Sequence, residues 1–300
     1  MLKVAFDPIY KYELPEGHRF PMIKYELLPE QLLYENTLKD ENFFRPAKLT
    51  HEELLLTHAP GYLYKLDNQL LERKEIIKIG FPMTPILVER GKYIAGGTYQ
   101  AAKFAKEHGI GMNIAGGTHH SFADHGEGFC VFNDIAIAAN LMLAKNEATK
   151  ILIIDLDVHQ GNGTAKIFEN DPRVFTFSMH GRKNYPLKKE DSNLDIALED
   201  GTEDSLYLSI LSRVLSSLFD HVQPDFVFYL SGVDILHTDK LGRLSVSLKG
   251  CKERDRMVFN ECKRHGVPVA VSMGGGYSHR IAEIIEAHAN TFRLAQEIYF

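Results

Sequence analysis

Thiols are scarce in this chain. Cys130, Cys251 and Cys262 are its only cysteines. They show no paired spacing, and their odd number argues against a disulfide framework and suits a reducing compartment. Positive charge is in deficit, with 34 Lys and Arg against 40 Asp and Glu and a net charge of −6. No basic stripe exists to neutralise phosphates, which excludes nucleic acid as an expected partner. The mildly acidic balance would instead tolerate, and weakly attract, cationic substrates such as lysine-rich chains or polyamines. No run approaches the ~18 apolar residues of a membrane span. The opening Met1-Leu2-Lys3-Val4-Ala5-Phe6-Asp7-Pro8 meets Asp7 too early for a signal h-region. A soluble, cytoplasmic protein is the expectation. Internal repeats, low-complexity tracts and linkers are also missing.

What is there is a sizeable apolar fraction, 44% of residues, enough for a large core. Ile151-Leu152-Ile153-Ile154 reads as a strand buried on both faces, the kind found in parallel sheets. Similar apolar runs occupy residues 2–6, 111–115, 174–179, 226–230 and 268–272. Helical stretches alternate with them, at residues 99–108, 133–143, 164–168, 205–219, 252–265 and from 280 onwards. Thr50-His51-Glu52-Glu53 has the spacing of a capping box before a further helix. Gly96-Gly97 reads as a helix entry, and the Pro- and Tyr-rich residues 8–25 as irregular surface loop. Residues 182–204 form the best candidate for a domain boundary, but their flanks belong to one alternating pattern. The expected fold is α/β: one domain over residues 1–300, three layers α/β/α, with a central, mainly parallel sheet.

In such sheets ligands bind outside the carboxyl ends of the strands, and the chemically loaded residues sort there. Asp155, Asp157 and His159 follow a strand at two-residue spacing, so their side chains share one side. Carboxylates that close need a cation, or one of them must be protonated. Asp234 tips another strand. Asp157, His159 and Asp234 together offer oxygen and imidazole ligands and leave a position open, as a catalytic Zn²⁺ requires. Fe²⁺ or Mn²⁺ could use the same set. His119-His120 after Gly116-Gly117 suits proton transfer or further ligation. Tyr277 after Gly274-Gly275-Gly276 suits donation to a developing oxyanion, although glycine-rich turns also cradle phosphates.

Taken together, these stretches resemble the zinc-dependent histone deacetylase family, within the arginase/deacetylase fold. The matching segments are Gly116-Gly117-Thr118-His119-His120, Gly128-Phe129-Cys130, Asp155 to Gly163, Gly232-Val233-Asp234-Ile235-Leu236, Asp239-Lys240-Leu241-Gly242 and Gly274-Gly275-Gly276-Tyr277, in family order along almost the whole chain. Asn162, with Gly201-Thr202-Glu203-Asp204 and Gly232 to Leu236, looks most like class IV members. Bacterial acetoin-utilisation proteins and acetylpolyamine amidohydrolases share the framework.

The resemblance implies a metal-dependent amidohydrolase that removes acetyl or longer acyl groups from N-acyl-lysine, or from a small N-acyl-amine, through a zinc-activated water. It implies zinc on Asp157, His159 and Asp234, with His120 as general base and His119, paired with Asp155, as its electrostatic partner. Tyr277 would polarise the carbonyl. Phe129 would form one tunnel wall, with Gly128, Gly275 and Gly276 beside the substrate and Tyr185 as the second wall. Asp155, Asp157, His159, Ser178 and Met179 match a structural monovalent cation site, usually K⁺. Asn162 stands where many relatives carry an Asp behind the second histidine. Two rival readings are a Mg²⁺-dependent phosphatase of the haloacid dehalogenase type with Asp155 as nucleophile, and an inactive acyl-lysine-binding fold.

Overall fold

A computed structural model describes residues 1–300. Eight strands form one sheet: β1 (Lys3–Ala5), β2 (Phe43–Phe44), β3 (Ile110–Asn113), β4 (Ile151–Asp155), β5 (Val174–Gly181), β6 (Leu194–Leu198), β7 (Phe226–Ser231) and β8 (Val269–Met273). Their order is β2-β1-β3-β8-β7-β4-β5-β6, and every pairing is parallel. Flanking helices are α1 (Lys24–Tyr34), α2 (His51–Leu55), α3 (Pro60–Asp67), α4 (Arg73–Ile79), α5 (Pro85–His108), α6 (Asp134–Ala144), α7 (Asn162–Phe168), α8 (Asp204–Val222), α9 (Leu248–His265) and α10 (Ile281–Tyr299).

The central strands are apolar throughout because helices cover both faces. β4, β7 and β8 are buried at every position, within one hydrophobic core of 81 residues. Helix starts follow local chemistry. Thr50 caps α2 and Glu53 reaches back to complete the box; Asn133 caps α6 through the amide of Ala136. The chain passes from β3 to β4 by skipping the positions of β8 and β7. The neighbours β3, β8, β7, β4 and β5 therefore present their carboxyl ends side by side at a switch point, where such folds place ligands.

Two expectations need correction. Gly96 and Gly97 lie in the middle of α5, not at its entry. A Cβ on Gly96 would sit 2.0 Å from the Ala47 carbonyl oxygen, so the pair allows close packing rather than a turn. Residues 8–25 are not wholly surface loop: Tyr10, Tyr12, Lys24 and Tyr25 are buried, the last two in the first turn of α1. Residues 182–204 contain β6, which pairs with β5 from Phe177↔Leu194 to Gly181↔Leu198, so the sheet runs through the stretch that the alternating pattern also spans.

Candidate metal centre and active site

Beyond β4 the chain carries Asp157 and His159 inward, and beyond β7 it carries Asp234. All three are buried, and their ligand atoms lie within 4.8 Å of one another. His159 Nδ1 is 2.9 Å from Asp157 Oδ1 and 3.1 Å from Asp234 Oδ2. Backbone amides hold both carboxylates: Gly275 N–H donates to Asp157 Oδ2 at 2.7 Å, and Val158 N–H to Asp234 Oδ1 at 2.9 Å. A Cβ on Gly275 would lie 1.8 Å from Asp234 Oδ2, so only glycine lets this loop close over the cluster. Burial, followed by the adjacent Asp157, pushes the Asp234 carboxyl above its ordinary range. Two buried carboxylates facing one imidazole nitrogen are short of positive charge, and a divalent cation among them meets that need. The donor set fits a metal.

Beyond β3 the chain delivers two adjacent histidines, their rings tilted and 4.1 Å apart, with different surroundings. His119 Nδ1 is 2.7 Å from Asp155 Oδ2. Burial opposes its protonation, but the Asp155 carboxylate outweighs burial and raises the His119 pKa. His120 Nδ1 instead meets the neutral Asn162 Oδ1, also at 2.7 Å. Burial, then repulsion from His119 and His159, holds His120 well below the usual imidazole range. The two imidazoles are therefore pushed apart, one toward its cationic and the other toward its neutral form, the separation expected of groups with different proton roles.

The loop beyond β8 brings Tyr277 to the same centre, its ring 6.4 Å from that of His159 and 6.2 Å from that of Phe129. Its backbone amide donates to Asp239 Oδ2 at 2.6 Å. Burial, then Asp234 and Asp157, raise the phenol well above its ordinary pKa, so the hydroxyl keeps its proton for donation. The histone deacetylase domain matches residues 18–292.

The chain belongs to the histone deacetylase family.

It is 42% identical over 296 residues to an uncharacterized protein of Picosynechococcus sp. (strain ATCC 27264 / PCC 7002 / PR-6), covering 99% of each chain. It is 30% identical over 277 residues to Histone deacetylase 2 of Arabidopsis thaliana, covering 89% of this chain and 72% of that one. The crystal structure of a histone deacetylase homologue from Aquifex aeolicus superposes with a TM-score of 0.83 at 24% identity, over 98% of this chain and 83% of that one. The protein is thus a deacetylase, a hydrolase, built on the family's α/β fold. The phosphatase and inactive-fold readings fall with that membership. Asp155 is also unsuited to be a nucleophile, being buried and engaged by His119 and by the Asp157 amide.

Around the deacetylase centre a mouth of about 280 Å³ is lined by Phe129 and Tyr185, with His120, Gly128, His159 and Tyr277 at its floor. Phe129 holds φ +67°, a strained value for an aromatic residue, of the kind that clusters at functional sites. The Tyr185 ring stands edge-on to His120, centroids 4.9 Å apart. β4 and β5 pair Asp155 with Ser178, which sets Ser178 and Met179 beside the metal loop.

Three buried charged residues that the sequence does not single out support the centre from behind. Glu127 accepts from Asn162 Nδ2 at 2.6 Å and pairs with Lys78 Nζ at 2.5 Å. Burial would raise its pKa, but hydrogen bonds from Lys78, Asn162 and Tyr185 lower it. Arg254, fully buried, donates from Nη1 to the carbonyls of Leu156 and Gly232, the residues leading into the metal loops. Lys24 donates to the Gly274 carbonyl at 3.1 Å. No local pattern marks these residues. The one local signal is the helical spacing of Arg254 in α9, with Cys251 three residues before it and Val258 four after, which puts a charge on the buried face.

Proposed function

We propose that this deacetylase hydrolyses N-acyl-lysine side chains, acetyl or longer, using Zn²⁺ held by Asp157, His159 and Asp234. One observation carries the reading: a buried cluster of three ligands has a neutral imidazole and a protonated phenol converging on it at the floor of an aromatic-walled mouth. Residues 1–300 act as a single catalytic domain. When bound, Zn²⁺ supplies Lewis acidity, lowering the pKa of water and polarising the amide carbonyl; Fe²⁺ and Mn²⁺ suit the same ligands. His120, with Nε2 unprotonated, takes the proton of the attacking water and later returns it to the leaving amine. His119, drawn toward its cationic form by Asp155, stabilises the negative charge that develops beside it. Tyr277 donates its hydroxyl to that oxyanion. Phe129 and Tyr185 flank the acyl-lysine stem, and Gly128, Gly275 and Gly276 let backbone approach it. Asp155, Asp157, His159, Ser178 and Met179 would hold a K⁺ whose charge would offset the crowded carboxylates.

Asn162 supports a class IV relationship, and the three buried free thiols support a reducing, cytoplasmic setting. A small N-acyl-amine, acetylpolyamines included, is the second substrate class that the same centre would serve.

The test is hydrolysis of acetyl-lysine, long-chain acyl-lysine and acetylpolyamine substrates by metal-stripped and Zn²⁺-reloaded protein. Acyl-lysine turnover that is lost on stripping, restored by Zn²⁺ and abolished by Asp234→Ala is expected. Undiminished turnover in the Asp234→Ala variant would overturn the ligand assignment.

A further inference from the structure

The mouth carries charge opposite in sign to the chain as a whole. Among the residues that line it, Arg19, Lys78, Lys183 and Arg243 are cationic and exposed, and none is an aspartate or glutamate. Two carboxylates lie close behind. Glu127 pairs with Lys78, and Asp200 is shared between Lys183 at 3.6 Å and Arg243 at 3.3 Å. Arg19 has no acidic partner; its guanidinium lies over the Phe129 ring, 4.9 Å from the centroid. Four cations against two carboxylates leave the rim positive, although the chain carries a net charge of −6.

We propose that this rim selects acyl-lysine in an acidic sequence context, with Arg19, Lys183 and Arg243 receiving aspartate or glutamate side chains that flank the acylated residue. The proposal rests on the acyl-lysine reading above and names the substrate class of that site. The cations are long, exposed side chains at the entrance rather than groups at the buried floor. They are therefore placed to meet residues next to the acyl-lysine, not the acyl group itself. An arginine fork takes a carboxylate through two parallel N–H···O bonds, which fixes orientation as well as charge. A lysine-rich tail or a polyamine would bring like charge against the same rim. This reverses what net charge alone suggests, since attraction at a mouth depends on the charges that line it.

The test compares kcat/KM for acetyl-lysine peptides of equal length whose flanking residues are all acidic, all alanine or all lysine, at low and at high ionic strength. The order expected is acidic, then alanine, then lysine. About tenfold between the extremes at low salt is reasonable for a few exposed pairs acting together; it should lie in KM and shrink with salt. The doubly charge-reversed Lys183→Glu/Arg243→Glu variant should invert the acidic-to-lysine ratio. Arg19→Glu serves in its place if the double variant loses its cooperative melt. Equal kcat/KM for the three peptides, a preference for lysine flanks, or an acidic preference that survives charge reversal would overturn the proposal while leaving acyl-lysine hydrolysis standing. No turnover of any peptide, the alanine one included, would overturn the acyl-lysine reading and this proposal with it.

Discussion

His120 Nδ1 lies 2.7 Å from the side-chain oxygen of Asn162. An amide oxygen only accepts, so the imidazole carries its proton on Nδ1 and presents a lone pair from Nε2. The amide cannot turn over, because its nitrogen donates to Glu127 Oε1 at 2.6 Å. Lys78, Glu127, Asn162 and His120 therefore form one chain of contacts from the rim to the base.

Replacing the amide by a carboxylate should move the acidic limb of the pH–rate profile. His120 works as a base only when neutral, and its pKa is held low by burial and by His119 and His159. An adjacent carboxylate raises that pKa, so activity should fall at a higher pH as the solution is acidified. Asn162→Asp is best combined with Glu127→Gln, which removes a second carboxylate facing the first. A kcat/KM profile whose acidic limb stays in place would contradict the account.

Tyr277→Phe keeps the ring that packs near Phe20 and Phe129 and removes only the donor. A loss of about 10²–10³ in kcat is expected, as for other oxyanion donors, with KM little changed. Steady-state kinetics on one acyl-lysine peptide measures both. A loss carried by a raised KM alone, with kcat unchanged, would place the hydroxyl in binding rather than in the oxyanion's support.

Arg254→Met should destabilise the fold and loosen the metal loops together. It leaves Asp255 buried without the guanidinium that lies 2.8 Å away, although Thr291 and Tyr229 still donate to it. Breaking a buried pair in this way costs about 3–5 kcal/mol. Urea unfolding gives the loss, and Zn²⁺ titration of the folded protein should show weaker binding. A change below about 1 kcal/mol, the range of an exposed pair, would refute the role.

Glu35 ties the end of α1 to α10 through Arg293, with contacts of 2.8 and 2.5 Å. Burial would raise its pKa, but the hydrogen bonds from Arg293, Thr37 and Gln31 lower it to about 2. A depressed carboxyl stabilises the fold fully above its ordinary value of 4.5, and the contribution is lost as pH falls toward about 2. Glu35→Gln should therefore lower the melting temperature at neutral pH and converge on the wild type across that window. A constant difference down to the acid end would count against it.

Much of this was legible in the sequence because a buried parallel strand is a short apolar run and its carboxyl end is where polarity resumes. Asp155, Asp157 and His159 announced themselves at two-residue spacing, and Asp234 and Tyr277 by following β7 and β8. What escaped notice depends on distance in the chain. Lys78 meets Glu127 across 49 positions, and Arg254 reaches carbonyls 98 and 22 residues away. Gly96 looked like punctuation because its real neighbour, Ala47, is remote in sequence. β6 was hidden because, at the sheet edge, it alternates exposed and half-buried residues and lacks the apolar signature of the interior strands.

β8 lies between β3 and β7 at the middle of the sheet, yet at Val269–Met273 it is the last of the eight strands in chain order. During synthesis the two halves of the sheet therefore wait, with apolar edges open, until β8 has left the ribosome. Gly275 and Tyr277 follow directly behind, so a nascent chain can finish its outer strands and helices before it has any catalytic centre. A premature stop anywhere upstream of β8 would yield an unzipped sheet rather than a shortened enzyme.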